Sequence, residues 1–216
     1  MLHSIKIFSL LVFCFLSVQS VSAESHSKKT NIASGLFSVD VKHNGKVVTI
    51  TRNQDKNNEI VDFYKKTARG TVQPMQPFAP HDVETLGEIE VLDYMKKMSD
   101  GDDSIILVDS RTNAWVERTG VIPGAVSIPL TKFKTEESTL EVMEDHLNVT
   151  TGEVFDFRPA KTIVMYCNGN WCGQSPTAIK KLLAAGYPAA KIKYYRGGMQ
   201  SWTALGLTLI TDTESK

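Results

Sequence analysis

The stretch Thr162 to Gly186, TIVMYCNGNWCGQSPTAIKKLLAAG, constrains the fold of this chain more than any other. Thr162-Ile163-Val164-Met165-Tyr166 is a short apolar, partly β-branched run, the pattern of a strand buried on both faces. Ser175-Pro176 reads as a helix N-cap followed by proline at the first helical position. Ile179, Leu182 and Leu183 then recur at helical spacing, and Gly186 ends the helix. The loop between strand and helix is Cys167-Asn168-Gly169-Asn170-Trp171-Cys172-Gly173-Gln174. A cysteine at a strand's carboxyl end, facing a helix N-terminus, is placed for thiolate chemistry. Loop N–H groups can converge on the sulfur, and the helix dipole favours its ionised form. The expectation is that Cys167 is the nucleophile, its pKa lowered from about 8.5 into the range of about 3.5–7.5. The competing reading is an inert buried thiol or half of a disulfide.

The amino terminus bears on that choice. Lys6 precedes an apolar block from Ile7 to Val18, and Val21-Ser22-Ala23 is a small-residue cleavage site, so residues 1–23 read as a secretory signal. The block is short for a membrane span, and no stable membrane anchor is expected. The protein is therefore expected to be exported: periplasmic if its source is a Gram-negative bacterium, otherwise secreted. The mature chain keeps only Cys167 and Cys172, in a compartment where disulfides persist. Its near-neutral charge gives no case for binding nucleic acid.

Leu36–His43 and Lys46–Arg52 flank Asn44-Gly45, a strong hairpin signal. A two-residue loop pairs Val41 with Val48 and Val39 with Ile50, leaving an apolar face that must pack on something. Ile60–Lys66 reads as a short helix or strand, and Pro74, Pro77 and Pro80 mark a stiff linker. Beyond it, strands and helices alternate. Helical patterns cover Glu88–Met98, Asn113–Arg118, Glu136–Leu147 and Met199–Leu205; strand patterns cover Ile105–Val108, Ala125–Ile128, Thr162–Tyr166 and Ile192–Tyr195. This implies an α/β fold with a parallel sheet and helices on both faces, preceded by the hairpin module. The division is a signal at 1–23, a hairpin module and linker at 24–80, and the main domain at 81–213. Ligands in such sheets sit at the carboxyl ends of the strands, where Asp109, Cys167 and Arg196 fall.

The order of motifs resembles the rhodanese family of sulfurtransferases from about Val83 to Ile210. The likeness rests on Val108-Asp109-Ser110-Arg111, on Gly120 to Pro129, on Val164-Met165-Tyr166-Cys167 and on Tyr195-Arg196-Gly197-Gly198-Met199-Gln200-Ser201-Trp202. It implies the rhodanese-like fold and a persulfide carried on Cys167, passed to a thiol or other nucleophilic acceptor. Two departures stand out. Gln174-Ser175 occupies the place of an expected arginine-serine, so thiosulfate is expected to be a poor donor. The loop is also longer and carries Cys172, a candidate resolving thiol; it resembles the Trp-Cys-Gly-Gln-Ser loop of an exported subgroup.

Asn168, Gly169, Asn170, Trp171, Gly173, Gln174 and Ser175 are the expected active-loop residues, and Asp109, Arg111, Arg196, Gly197, Gly198 and Trp202 are expected to flank it structurally. The five histidines show no metal-ligand spacing, so neither metal nor other cofactor is expected. A cysteine phosphatase is set aside because its loop needs an arginine. Three functions remain: a sulfurtransferase with a small sulfur donor and a thiol acceptor, a thiol–disulfide exchange or redox-sensing protein using Cys167 and Cys172, and a non-catalytic binding module with a structural disulfide.

Overall fold

The computed structural model describes residues 29–211. The expected signal at 1–23 lies outside these residues.

Asn44 and Gly45 both take positive φ, as a two-residue hairpin turn of the twist-matched type requires. They join β1, Ser38–His43, to β2, Lys46–Thr51, in the expected register: Val41 opposite Val48 and Val39 opposite Ile50. The main sheet has five parallel strands in the order β3-β7-β6-β4-β5. These are β3 (Glu84–Leu86), β4 (Ile105–Asp109), β5 (Val126–Ser127), β6 (Thr162–Tyr166) and β7 (Ile192–Tyr195). The helices are α1 (Glu88–Ser99), α2 (Asn113–Thr119), α3 (Glu136–Leu147), α4 (Gln174–Ala184) and α5 (Gly198–Ala204).

Alternation along the strands builds two cores. Ile106, Val108, Ile163, Met165, Ile192 and Tyr194 share one with Val142, Met143 and Leu147 of α3 and Ala178, Ile179 and Leu182 of α4. Ile105, Leu107, Val164, Tyr166 and Tyr195 share the other with Val91, Leu92 and Met95 of α1 and Met199 and Trp202 of α5. Val39, Val41 and Ile50 of the hairpin are buried in that second core, where β1 packs on α1. Each such burial contributes roughly 1.5–3 kcal/mol, enough to hold an otherwise marginal hairpin in place. Asn53 N–H to the Gly206 carbonyl (2.7 Å) and Thr51 N–H to Thr208 Oγ1 (2.9 Å) tie its outgoing end to the chain beyond α5.

Three local expectations need correction. The strand β3 gave no sequence signal, because only Leu86 of its three residues is buried. The proline-containing segment is more than a spacer: Phe78 is buried and meets Tyr194 edge to face at 5.4 Å. Finally, α4 starts two residues earlier than its Ser-Pro signal suggests, with Gly173 as N-cap. Ser175 is thereby inside the first turn and fully buried, free to bond sideways instead of capping.

Candidate active site

The strands β4 and β6 end side by side, Asp109 opposite Tyr166, so Cys167 emerges beside the Asp109-Ser110-Arg111 turn. Asp109 and Arg111 form a fully buried ion pair: Arg111 Nε donates to Oδ1 at 2.9 Å and Nη2 to Oδ2 at 2.6 Å. The remaining guanidinium donors reach Thr119 Oγ1 (2.6 Å) and the Gly120 carbonyl (2.7 Å). Tyr166 donates its hydroxyl to Asp109 Oδ2 at 3.0 Å and accepts the Ile122 N–H at 3.2 Å. Burial works against the charged guanidinium, but the hydrogen bonds and charge of Asp109 outweigh it and hold Arg111 above its ordinary range. With its donors engaged and no exposed surface, Arg111 braces the strand ends and has nothing left for a solute.

Ser175 attaches α4 to this brace. Its Oγ lies 2.8 Å from Ser110 Oγ, and the Ser110 hydroxyl donates to the Tyr166 carbonyl at 2.9 Å. Both cysteines are free thiols, and both are buried, Cys167 to 1 % exposure and Cys172 to 6 %. The Ser175 N–H favours the charged form of Cys167, and the N–H groups of Gln174 and Asn168 favour that of Cys172, while the Ser175 hydroxyl is taken by Ser110. Asn168 Nδ2 adds a donor 3.9 Å from Cys172 Sγ, and the Cys167 thiol also reaches the Cys172 carbonyl at 3.4 Å.

The electrostatic consequence reverses an expectation. Burial pushes the Cys167 thiol well up, reinforced by its hydrogen bond to Cys172 and that sulfur's charge. Cys172 is instead held down at about 6, first by the donating Cys167 thiol and then, against burial, by the N–H groups of Gln174 and Asn168. Both shifts favour the charge on Cys172 rather than on Cys167, beside a neutral Cys167 thiol that donates to the Cys172 carbonyl. A strand end is held rigidly but deeply, and the loop's donors close around the residue further along.

The loop is clamped from both sides. From α5, Met199 N–H donates to the Cys167 carbonyl (3.0 Å) and Gln200 N–H to the Asn168 carbonyl (2.9 Å). This approach requires Gly198, whose φ is +55° and whose absent Cβ would collide with the Cys167 carbonyl oxygen. Trp202 packs in the core and donates Nε1–H to the Thr208 carbonyl at 2.9 Å. From the other side, residues 62–73 lie across the loop. Tyr64 donates its hydroxyl to Asn168 Oδ1 at 2.9 Å, and Gln73 N–H reaches the Asn170 carbonyl at 2.7 Å. Gly70 packs so closely on the Trp171 carbonyl that a side chain there would clash. Arg196 donates Nε (3.0 Å) and Nη2 (2.7 Å) to the Gln73 carbonyl, so this strand-end cation holds the covering segment.

Trp171 is half-buried, its Nε1–H donated to Gln200 Oε1 at 2.7 Å. It borders a groove of about 800 Å³ whose walls include Phe63, Tyr64, Lys66, Arg69 and Gln200. Trp115, which meets Phe63 edge-on at 4.4 Å and Trp171 at 6.4 Å, backs this aromatic wall. Tyr64, Gly70, Gln73 and Gln200 are site residues that sequence reasoning missed. The only signal for Tyr64 was the short apolar run beginning at Ile60. Among the described residues, no group of three or more His, Cys, Asp or Glu is placed to hold a metal ion.

The rhodanese-like domain family matches residues 91–205, more than half of the chain. The protein belongs to the rhodanese-like domain family. No curated protein matches it significantly in sequence. Among solved structures, this rhodanese-like protein is similar to the rhodanese-like domain of Alr3790 from Anabaena sp., at 18% identity over 62% of this chain and 82% of that one, with a TM-score of 0.40. It is also similar to the 3-mercaptopyruvate sulfotransferase SseA of Escherichia coli (18% identity, 52% and 39% of the two chains, TM-score 0.35). A third similar structure is the BH2092 protein of Bacillus halodurans (23% identity, 56% and 70%, TM-score 0.38).

Proposed function

We propose that this rhodanese-like protein is a sulfurtransferase that carries sulfane sulfur as a persulfide on Cys167, with Cys172 as its partner base and resolving thiol. The observation that carries this reading is the pair of buried free thiols at the end of β6 beneath the α4 N-terminus, with the Cys167 thiol donating to the Cys172 carbonyl at 3.4 Å. In the first step the Cys172 thiolate takes the Cys167 proton as the Cys167 sulfur attacks the donor's sulfane sulfur. One S–S bond forms, the donor's bond breaks, and its electron pair leaves with sulfite, a sulfinate or a thiolate. The new persulfide anion lies by the Ser175 N–H and the positive end of the α4 dipole. An acceptor thiolate then attacks the outer sulfur and returns Cys167 as the leaving thiolate, which recovers its proton from Cys172. Without an acceptor, Cys172 passes its proton to the terminal sulfur, and its thiolate attacks the inner sulfur, closes a Cys167–Cys172 disulfide and expels hydrosulfide.

Thiol–disulfide exchange is the second reading, favoured by the closeness of the two thiols, the Cys167 thiol reaching the Cys172 carbonyl at 3.4 Å. Mass spectrometry of the intact protein after exposure to a sulfane-sulfur donor separates the two. A gain of one sulfur atom on Cys167 supports transfer; a reducible bridge that forms equally well without any sulfur donor supports exchange. We further propose that residues 1–23 direct export, to the periplasm in a Gram-negative source, and that Trp171-Cys172-Gly173-Gln174-Ser175 assigns the chain to the exported subgroup. Cleavage after Ala23 in the secreted product tests the first of these.

A further inference from the structure

Five tyrosines are buried among the described residues, and four of them commit their hydroxyls to acceptors. Tyr64 donates to Asn168 Oδ1, Tyr166 to Asp109 Oδ2, Tyr187 to the Lys161 carbonyl at 2.6 Å and Tyr195 to Glu88 Oε1 at 2.9 Å. Tyr194 is the exception. It has no exposed surface, and its hydroxyl has no hydrogen-bond partner among the described residues. A polar group kept buried and unpaired is costly, so this one calls for a partner that the resting protein lacks.

Its place in the sheet says which partner. Tyr194 lies opposite Met165 of the neighbouring strand β6, and both side chains enter the core beneath α3 and α4. Cys167 follows Met165 by two residues, so alternation puts its sulfur on the same face, where the Ser175 N–H at the start of α4 acts on it. Tyr194 is thus the diagonal neighbour of Cys167 from the adjacent strand, a separation that an aromatic side chain spans. Phe78 packs edge-on against its ring at 5.4 Å. Burial holds the hydroxyl above its ordinary pKa, and the charges of Cys167 and Cys172 add to this against that of Arg196. The group therefore stays protonated and can only gain by donating. In the resting protein neither sulfur comes within bonding distance of it. A persulfide on Cys167 reaches one S–S bond, about 2.05 Å, beyond Sγ and carries its negative charge outward.

We propose that the Tyr194 hydroxyl donates a hydrogen bond to the terminal sulfur of the Cys167 persulfide, so that its partner arrives with the transferred atom. The inference rests on the sulfur-transfer reading and adds to it a donor from the sheet rather than from the cysteine loop. The hydroxyl keeps its proton throughout, and no bond to its oxygen forms or breaks.

Tyr194→Phe removes the oxygen and keeps the ring. Before any sulfur is loaded, this single variant should melt no lower than wild type, because the hydroxyl has no partner to lose. Loading is then compared in Cys172→Ser and Cys172→Ser/Tyr194→Phe, where no neighbouring thiolate discharges the persulfide, with inorganic polysulfide as the sulfur source. The persulfide anion is titrated by its ultraviolet absorbance. Loss of the donor should raise its midpoint by about one pH unit and lower the equilibrium ratio of loaded to unloaded Cys167 about tenfold. Loading should also raise the melting temperature more in Cys172→Ser than in the double variant. A lower melting temperature in unloaded Tyr194→Phe would show that the hydroxyl already has a partner, and would overturn the proposal. An unchanged midpoint and loading ratio would do the same. If peptide mass shows no sulfur on Cys167 in Cys172→Ser, the sulfur-transfer reading falls and the proposal falls with it. Loading that is indifferent to Tyr194 refutes the proposal alone.

Discussion

The Tyr64 hydroxyl donates to Asn168 Oδ1 at 2.9 Å across 104 residues of sequence, and in doing so it fixes which end of the Asn168 amide faces Cys172. With the oxygen occupied by Tyr64, the Nδ2 group is left to point at the Cys172 sulfur. The segment ahead of the family domain thus acts on the thiolate through one side chain.

Tyr64→Phe removes that bond without removing the ring. It leaves Asn168 Oδ1 unsatisfied in a buried position, which costs about 1–3 kcal/mol of stability. It also frees the amide to turn, so the midpoint of Cys172 alkylation against pH should move upward. An unchanged midpoint and melting temperature would show that the contact is incidental.

Alkylation of Cys172 in the wild-type protein should rise as pH passes through about 6 and level off near neutrality, while Cys167 stays unreactive there. The sign for stability follows from the same shift. The folded-state value lies below the ordinary 9.0, so the thiolate's contribution is complete above that value and is lost as pH falls through about 6. Removing the donating thiol with Cys167→Ala should raise the Cys172 midpoint. If Cys167 alkylates first at neutral pH, the assignment of charge within the pair is reversed.

The hairpin face offers a purely structural test. Ile50→Ala empties a fully buried position in the core that the hairpin shares with α1 and α5 and should cost about 2–5 kcal/mol, read as a lowered midpoint in urea. A loss below 1 kcal/mol would mean that the hairpin does not share the main core.

Asp109→Asn leaves the Arg111 guanidinium buried without its counter-charge. The expected loss is about 3–5 kcal/mol, with persulfide chemistry surviving in whatever fraction stays folded. Loss of chemistry in a fully folded variant would instead place Asp109 in the reaction.

The parts of this molecule that follow from local pattern were legible in the sequence. The Asn44-Gly45 hairpin, the apolar runs of β4 and β6 and the stripe of α3 each carry their own periodicity. What escaped was set by contacts distant in sequence. The strand β3 is three residues long and is stabilised by its place beside β7. Tyr64 and Gly70 belong to the site only because residues 62–73 fold back over the loop. The ranking of the two thiols depends on where the loop N–H groups converge, and a loop path has no periodicity to read. Ser175 misled for a related reason: it has an N-cap's chemistry but uses its hydroxyl on Ser110.

The most direct test of the account is the site of the persulfide in single-cysteine variants after brief exposure to a sulfane-sulfur donor, followed by peptide mass spectrometry. The account predicts no persulfide in Cys167→Ser. In Cys172→Ser it predicts a persulfide on Cys167 that forms more slowly, because the base is gone, and persists longer, because no neighbouring thiolate attacks it. A persulfide found on Cys172 in the Cys167→Ser variant, with undiminished transfer to an acceptor, would contradict it.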